Sequence, residues 1–250
     1  MPDLWTACGS RARPVEFATE VLRLVESQEQ VATQRLVGNL AEQSLLEALL
    51  EQSKPALPAA AHGLHYLLAT PFRYPPLRHG SRFGRRHEPA LLYASCSQAA
   101  LLAESAYYRC VFWHGMTTPP AEPLRTQHTV FGARIYARCA YRLDSPPFDE
   151  HAAILASPTD YAATQALGSA LRDAAADAVV YPSARDPGRG LNVGLYAPAA
   201  LALPQPTFQQ EWLCETAADH VSFRSRSELL VRTLPLAQFL VDGVLPTPAA

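Results

Sequence analysis

The sequence predicts an α+β fold: a mixed core of short strands with helices set between some of them, plus an N-terminal helical extension. Three observations lead there. Apolar residues recur at helical spacing over residues 15–52. Further along, short runs rich in β-branched and aromatic residues alternate with amphipathic stretches. The 22 prolines against 12 glycines imply many stiff turns and short elements.

In the front segment Val21, Leu24, Val25, Leu36, Leu40, Leu45, Leu46, Leu49 and Leu50 recur with Glu, Gln and Arg between them, with a break expected at Gly38-Asn39. Pro55 and Pro58 end the pattern, and residues 1–58 are read as a helical layer packed on a domain spanning 59–250. A short apolar stretch at 64–71 leads into an arginine-rich segment, RYPPLRHGSRFGRRH. PALLYAS then reads as a buried strand, and Ser97 as the N-cap of a helix through QAALLAESAYYRCVF. TVFGARIYARCAYRL reads as a strand and YAATQALGSALRDAAA as an amphipathic helix. A buried run, DAVVYPSA, a loop, RDPGRG, and a strand, LNVGLYAP, follow. The last thirty residues read equally as strand or helix.

Composition removes several function classes. The net charge of -2 argues against a general nucleic-acid binder, and the basic stretch RHGSRFGRRH carries no stacking aromatic beyond Phe83. No run of about 18 apolar residues suggests a membrane span, and the N-terminus lacks the apolar core of a secretion signal. The five cysteines are scattered with no CxxC, which fits reduced thiols in a cytoplasmic protein. The eight histidines form no HxxxH or HExxH pair, so no metal is expected. Neither GxGxxG nor GxxxxGK[ST] is present.

What remains is a spacing. Arg82, Tyr93 and Glu104 lie eleven residues apart: Arg82 in the glycine-flanked loop GSRFG, Tyr93 in a strand, and Glu104 about two turns into the next helix. A strand–turn–helix unit can bring these three toward one cleft. The loop after the second buried strand offers Ser183, Arg185 and Asn192.

Carried by FRYPPLRHGSRFG, LLYASCSQAALLAE and VVYPSARDPGRGLNVGLY, the region from about 64 to 200 resembles the RES domain, a family named for its Arg, Glu and Ser. The resemblance implies an ADP-ribosyltransferase-like fold and consumption of NAD as substrate. The nicotinamide–ribose bond would be cleaved by phosphorolysis, with inorganic phosphate as co-substrate, by hydrolysis, or with transfer of the ADP-ribosyl group to a protein. It also implies the toxin of a toxin–antitoxin pair, with an antitoxin of the Xre/DUF2384 type as partner, and it leaves room for a homo-oligomer. Residue by residue, Arg82, Tyr93, Glu104 and Ser183 match the family's arginine, tyrosine, glutamate and serine, and Arg73 its earlier arginine. Residues 1–58 exceed the small toxins and are expected to cover the face where those meet an antitoxin or a second copy.

The chemistry asks for these residue types. Cleaving the bond between nicotinamide and ribose builds oxocarbenium character on the sugar. Guanidiniums are needed to grip the pyrophosphate, a carboxylate to stabilise the sugar's positive charge, and an aromatic face to receive the nicotinamide. Arg73 and Arg82 are expected to supply the first, Glu104 the second and Tyr93 the third, with Arg78 and Arg85 solvated. Ser183 is expected to hydrogen-bond phosphate, ribose or the attacking group, with Arg185 and Asn192 as further ligands. The competing class is a catalytically silent binding module that has kept the fold.

Overall fold

The computed structural model describes residues 3–27, 37–225, 227 and 229–247. Its helices are α1 (Leu4–Cys8), α2 (Leu40–Ser53), α3 (Tyr66–Arg73), α4 (Gln98–His114), α5 (Ala152–Leu155) and α6 (Ala162–Asp173). Its strands are β1 (Val15–Glu26), β2 (Leu92–Ser95), β3 (Leu124–Arg142), β4 (Ala178–Pro182), β5 (Leu191–Leu195), β6 (Phe208–Thr216), β7 (His220–Ser225) and β8 (Leu230–Pro235).

The strands form one mixed sheet in the order β1-β2-β5-β4-β3-β6-β7-β8. The pairing of β3 with β4 is parallel and the others are antiparallel. β1 also pairs with β3, antiparallel, so the first five strands close into a ring. The length of β3 allows this: residues 128–140 serve β1, while residues 124–132 serve β6 on its other edge. Val21, Leu92, Ile135, Val180 and Val193, one from each strand of the ring, belong to a single buried cluster. Val179, the neighbour of Val180, is buried in a different cluster, beneath α6. β4 is therefore buried on both faces, and its near-continuous apolar sequence reflects that.

The N-terminal reading needs a correction. Residues 15–26 are a strand, not a helix. Phe17, Val21 and Val25 pack in one cluster while Leu22 and Leu24 pack in another. A strand covered on both faces places apolar residues at neighbouring positions, and Val21, Leu24 and Val25 then imitate a helical stripe. Pairing with β3 along its length decides in favour of the strand. Residues 28–36 of the expected helix lie outside the described residues. α2 does form where helix was expected. Asn39 Oδ1 accepts from the Glu42 amide at 2.9 Å and Glu42 Oε2 from the Gly38 amide at 2.7 Å, a reciprocal cap. The terminal ambiguity resolves into the antiparallel strands β7 and β8 and a short 3₁₀ turn.

α4 starts where Ser97 was expected to cap it: Ser97 Oγ accepts from the Ala100 amide at 3.2 Å. Leu102, Ala106, Tyr107 and Cys110 of α4 pack with Trp212 of β6 and Phe223 of β7. α6 lies against the arginine loop. A Cβ at Gly168 would stand 2.0 Å from the Phe83 carbonyl oxygen, so only glycine permits this approach. Gln165 Nε2, one turn earlier, donates to the carbonyls of His79 at 2.8 Å and Ser81 at 3.1 Å. The loop is stapled to a helix rather than left to solvent. Gly168→Ala should therefore lower stability by about 1–3 kcal/mol through overpacking. A urea midpoint indistinguishable from that of the unaltered protein would show that α6 can back away freely.

Candidate functional site

A cavity of about 510 Å³ opens between the arginine loop, α3, β1, β2, α4 and β5. Its walls include Arg23, Arg82, Tyr93, Glu104, Tyr181 and Asn192.

Glu104 is the centre of its polar wall. Ser183 Oγ donates to Glu104 Oε1 at 2.6 Å, and Asn192 Nδ2 donates to the same oxygen at 2.9 Å. Oε2 has no hydrogen bond to the described residues and is left to the cavity. Ser183 sits at the end of β4, in a loop closed by its own amide donating to the Gly190 carbonyl at 2.9 Å. Its Oγ accepts from the amides of Arg185 at 3.1 Å and Asp186 at 3.0 Å. Both lone pairs are thereby occupied and its single hydrogen is aimed at Glu104. In this geometry Ser183 serves as a donor to the carboxylate.

Arg82 is buried, with 8% of its surface exposed. Its Nη1 donates to the carbonyls of Leu155 at 3.1 Å and Ser157 at 3.0 Å, and the guanidinium lies 4.4 Å from the Tyr161 ring centre. Arg23 is the cavity's other arginine. Its Nη1 donates to the Tyr93 carbonyl at 2.6 Å, and its Nε is buried without a partner. Burial holds its pKa down to about 10, which leaves it cationic at neutral pH. Among the described residues neither arginine has a carboxylate within salt-bridge distance. Glu104 is the one carboxylate on the cavity wall. The two guanidiniums are thus satisfied only in part, and by backbone carbonyls, which leaves net positive charge facing the cavity.

Tyr93 contributes its ring to the wall, while its hydroxyl serves the loop. It accepts from the Phe83 amide at 3.0 Å and bonds the Ser81 hydroxyl at 2.8 Å. Burial pushes its pKa up to about 12, and burial likewise raises that of Tyr181, so both phenols are neutral at physiological pH.

Two expected ligands stand elsewhere. Arg73 is turned away from the cavity: its Nη1 pairs with Glu51 at 2.6 Å and its Nε donates to the Pro55 carbonyl at 2.5 Å, tying α3 to α2. Arg185 is buried with its guanidinium 3.4 Å from the Tyr107 ring centre and its Nη2 donating to the Pro158 carbonyl at 2.9 Å. It pins the 183–190 loop to α4. Arg78 and Arg85 are exposed. The sequence reading also missed residues on the cavity wall. Arg23 falls within the expected helix of the sequence reading; on the strand it shares the phase of Phe17, Val21 and Val25. Ser95, Tyr108, Tyr161 and Tyr181 also line the cavity and carried no signal of their own. No group of three or more metal-ligating side chains converges among the described residues, and none of their helices is long and apolar enough to cross a membrane.

The cavity thus sets a carboxylate held at one oxygen on the same wall as two guanidiniums without carboxylate partners, an arrangement whose charge suits an anion. The family model for the RES domain matches residues 57–228, and the chain belongs to that family. Its first strand, with Arg23, lies ahead of the matched region. No curated protein matches the chain. Among solved structures, the chain is similar in fold to one in the crystal structure of the M.tuberculosis MbcT-MbcA toxin-antitoxin complex. The TM-score is 0.51 at 12% identity, over 84% of this chain and 92% of that one.

Removing the Tyr93 hydroxyl should be felt in the loop. Tyr93→Phe leaves the Phe83 amide without its acceptor in a buried site, and about 1–3 kcal/mol of stability should be lost. Urea unfolding measures it, and an unchanged midpoint would mean that the loop is held by α6 alone.

Proposed function

We propose that this protein degrades NAD by cleaving the bond between nicotinamide and ribose. The observation that carries the reading is the pairing of Glu104, with Oε1 held and Oε2 free, and two guanidiniums that have no carboxylate partner, in one cavity. Arg23 and Arg82 grip the pyrophosphate, and the tyrosines of the wall receive the nicotinamide. The C1′–N bond breaks with its electron pair leaving on the neutral nicotinamide ring, so no strong general acid is required. Positive charge develops on the ribose and Glu104 Oε2 stabilises it. An oxygen of water or of inorganic phosphate then bonds C1′, attacking water giving up one proton to solvent. Membership of the RES family supports NAD as the substrate.

Likeness in fold to a chain solved in a toxin–antitoxin complex supports a role as the toxin of such a pair, restrained by an antitoxin of the Xre/DUF2384 type. The free state of all five cysteines fits a cytoplasmic setting.

The test is NAD loss with purified protein, with and without inorganic phosphate, with the products resolved as ADP-ribose or its phosphate. NAD untouched at high protein concentration under both conditions would contradict the reading and favour a silent binding module. ADP-ribose found on protein instead would point to transferase chemistry. Glu104→Gln should bind NAD and cleave it at least ~100-fold more slowly, a loss of about 2.7 kcal/mol of transition-state stabilisation.

The arginines give a second test. Arg23→Lys keeps charge but loses the planar fork, and kcat/KM should fall about tenfold or more. Arg73→Lys, altered outside the cavity, should stay within about twofold on the same principle. The reverse ranking would return the pyrophosphate to Arg73.

A further inference from the structure

Ser95 and Asn192 face each other directly across β2 and β5, both almost wholly buried, at 4% and 2% exposure. Ser95 Oγ donates to Asn192 Oδ1 at 2.7 Å, and Asn192 Nδ2 donates to Glu104 Oε1 at 2.9 Å. From this chain of bonds we infer that Ser95 and Asn192 are positioning residues for Glu104, a relay that fixes the plane of its carboxylate and presents Oε2 to the sugar. The inference rests on the NAD-cleaving reading of the same cavity.

With Ser183 alone on Oε1, the carboxylate could still rotate about that one bond. The second donor approaches from β5, while Ser183 sits at the end of β4. Two donors on one oxygen from separate strands define a plane, and the other oxygen is then aimed rather than free to swing. The Asn192 amide performs this only in one orientation. Turned over, it would direct Oδ1 at the carboxylate, and the two acceptors would repel. The carboxylate selects the working orientation, and Ser95 braces it by donating to Oδ1 from behind. Without its hydroxyl, Oδ1 is left in a buried site with no donor, and the amide loses the contact that sets its plane.

Ser95 also touches the cavity, so a direct substrate contact is the competing account. The two differ in kinetics. A contact made equally in ground and transition states appears as a raised KM at unchanged kcat, whereas a misaimed carboxylate lowers kcat.

The test compares Ser95→Ala and Ser95→Thr, each alone and combined with Glu104→Gln. Ser95→Ala should lower kcat about tenfold, since small misplacements of a reacting group are costly, with KM within about twofold. Ser95→Thr retains the hydroxyl and should recover most of the loss. In the Glu104→Gln background Ser95→Ala should cause no further loss, because the group it aims is already disabled. A raised KM at unchanged kcat, no change at all, or an equal loss in both backgrounds would overturn the relay.

Crystal structures of the two Ser95 variants provide a readout that does not need turnover. Ser95→Ala should show the Asn192 amide turned, or Nδ2 beyond hydrogen-bonding distance of Glu104 Oε1, and Ser95→Thr should show neither. Unchanged geometry at Glu104 in Ser95→Ala would refute the relay. Should the unaltered protein leave NAD intact, the proposed function fails, and these two structures still decide whether Ser95 positions Glu104.

Discussion

The capture of one oxygen of Glu104 by Ser183 and Asn192 is the constraint around which the fold is arranged. It requires α4, the end of β4 and the start of β5 to meet within the length of two hydrogen bonds. The strand order β2-β5-β4 supplies two of the three, because β5 lies between its partners and presents Asn192 opposite both Ser95 and Tyr181. α4 supplies the third. It leaves the end of β2 through the Ser97 cap and carries Glu104 back over the strands. Closure of the five-stranded ring through β1 holds this group together, so a strand far in sequence from Arg82, Glu104 and Ser183 becomes a wall of the cavity.

The second constraint is electrostatic. A guanidinium taken partly out of water without a carboxylate partner is unfavourable, and here two stand in one cavity. Arg82 is partly compensated by two carbonyls and the Tyr161 ring, and Arg23 by a single carbonyl. Such an arrangement becomes favourable when an anion is bound. Arg73 illustrates the opposite outcome, because Glu51 meets it directly and its role ends at joining α3 to α2. Arg185 is a further case, in which an aromatic face and a carbonyl turn a loop arginine into a fastening.

Much of the core was legible in the sequence because local signals and burial agreed there. The Ser97 cap, the strands LLYAS and VVYP and the helix around Leu167 and Leu171 all bury the faces their periodicity marks. The N-terminal strand was not legible, because burial on both faces erases the alternation that distinguishes strand from helix. With the wrong period assigned to 15–26, Arg23 had no face and could not be placed. Arg73 was named on the family resemblance, and nothing in the sequence reveals that Glu51 meets it. Glu104 and Ser183 were legible as a pair of residue types. Their direct bond depends on how α4 lies over the end of β4, and the bond between Ser95 and Asn192 on cross-strand register, neither of which a single sequence encodes locally.

The most direct test of this account is the crystal structure of Glu104→Gln with NAD bound. The account predicts the pyrophosphate between the guanidiniums of Arg23 and Arg82, with the nicotinamide ribose against the free side of residue 104 and Ser183 still bonded to that side chain. A pyrophosphate held by Arg73 or Arg78, or a ribose remote from residue 104, would contradict it.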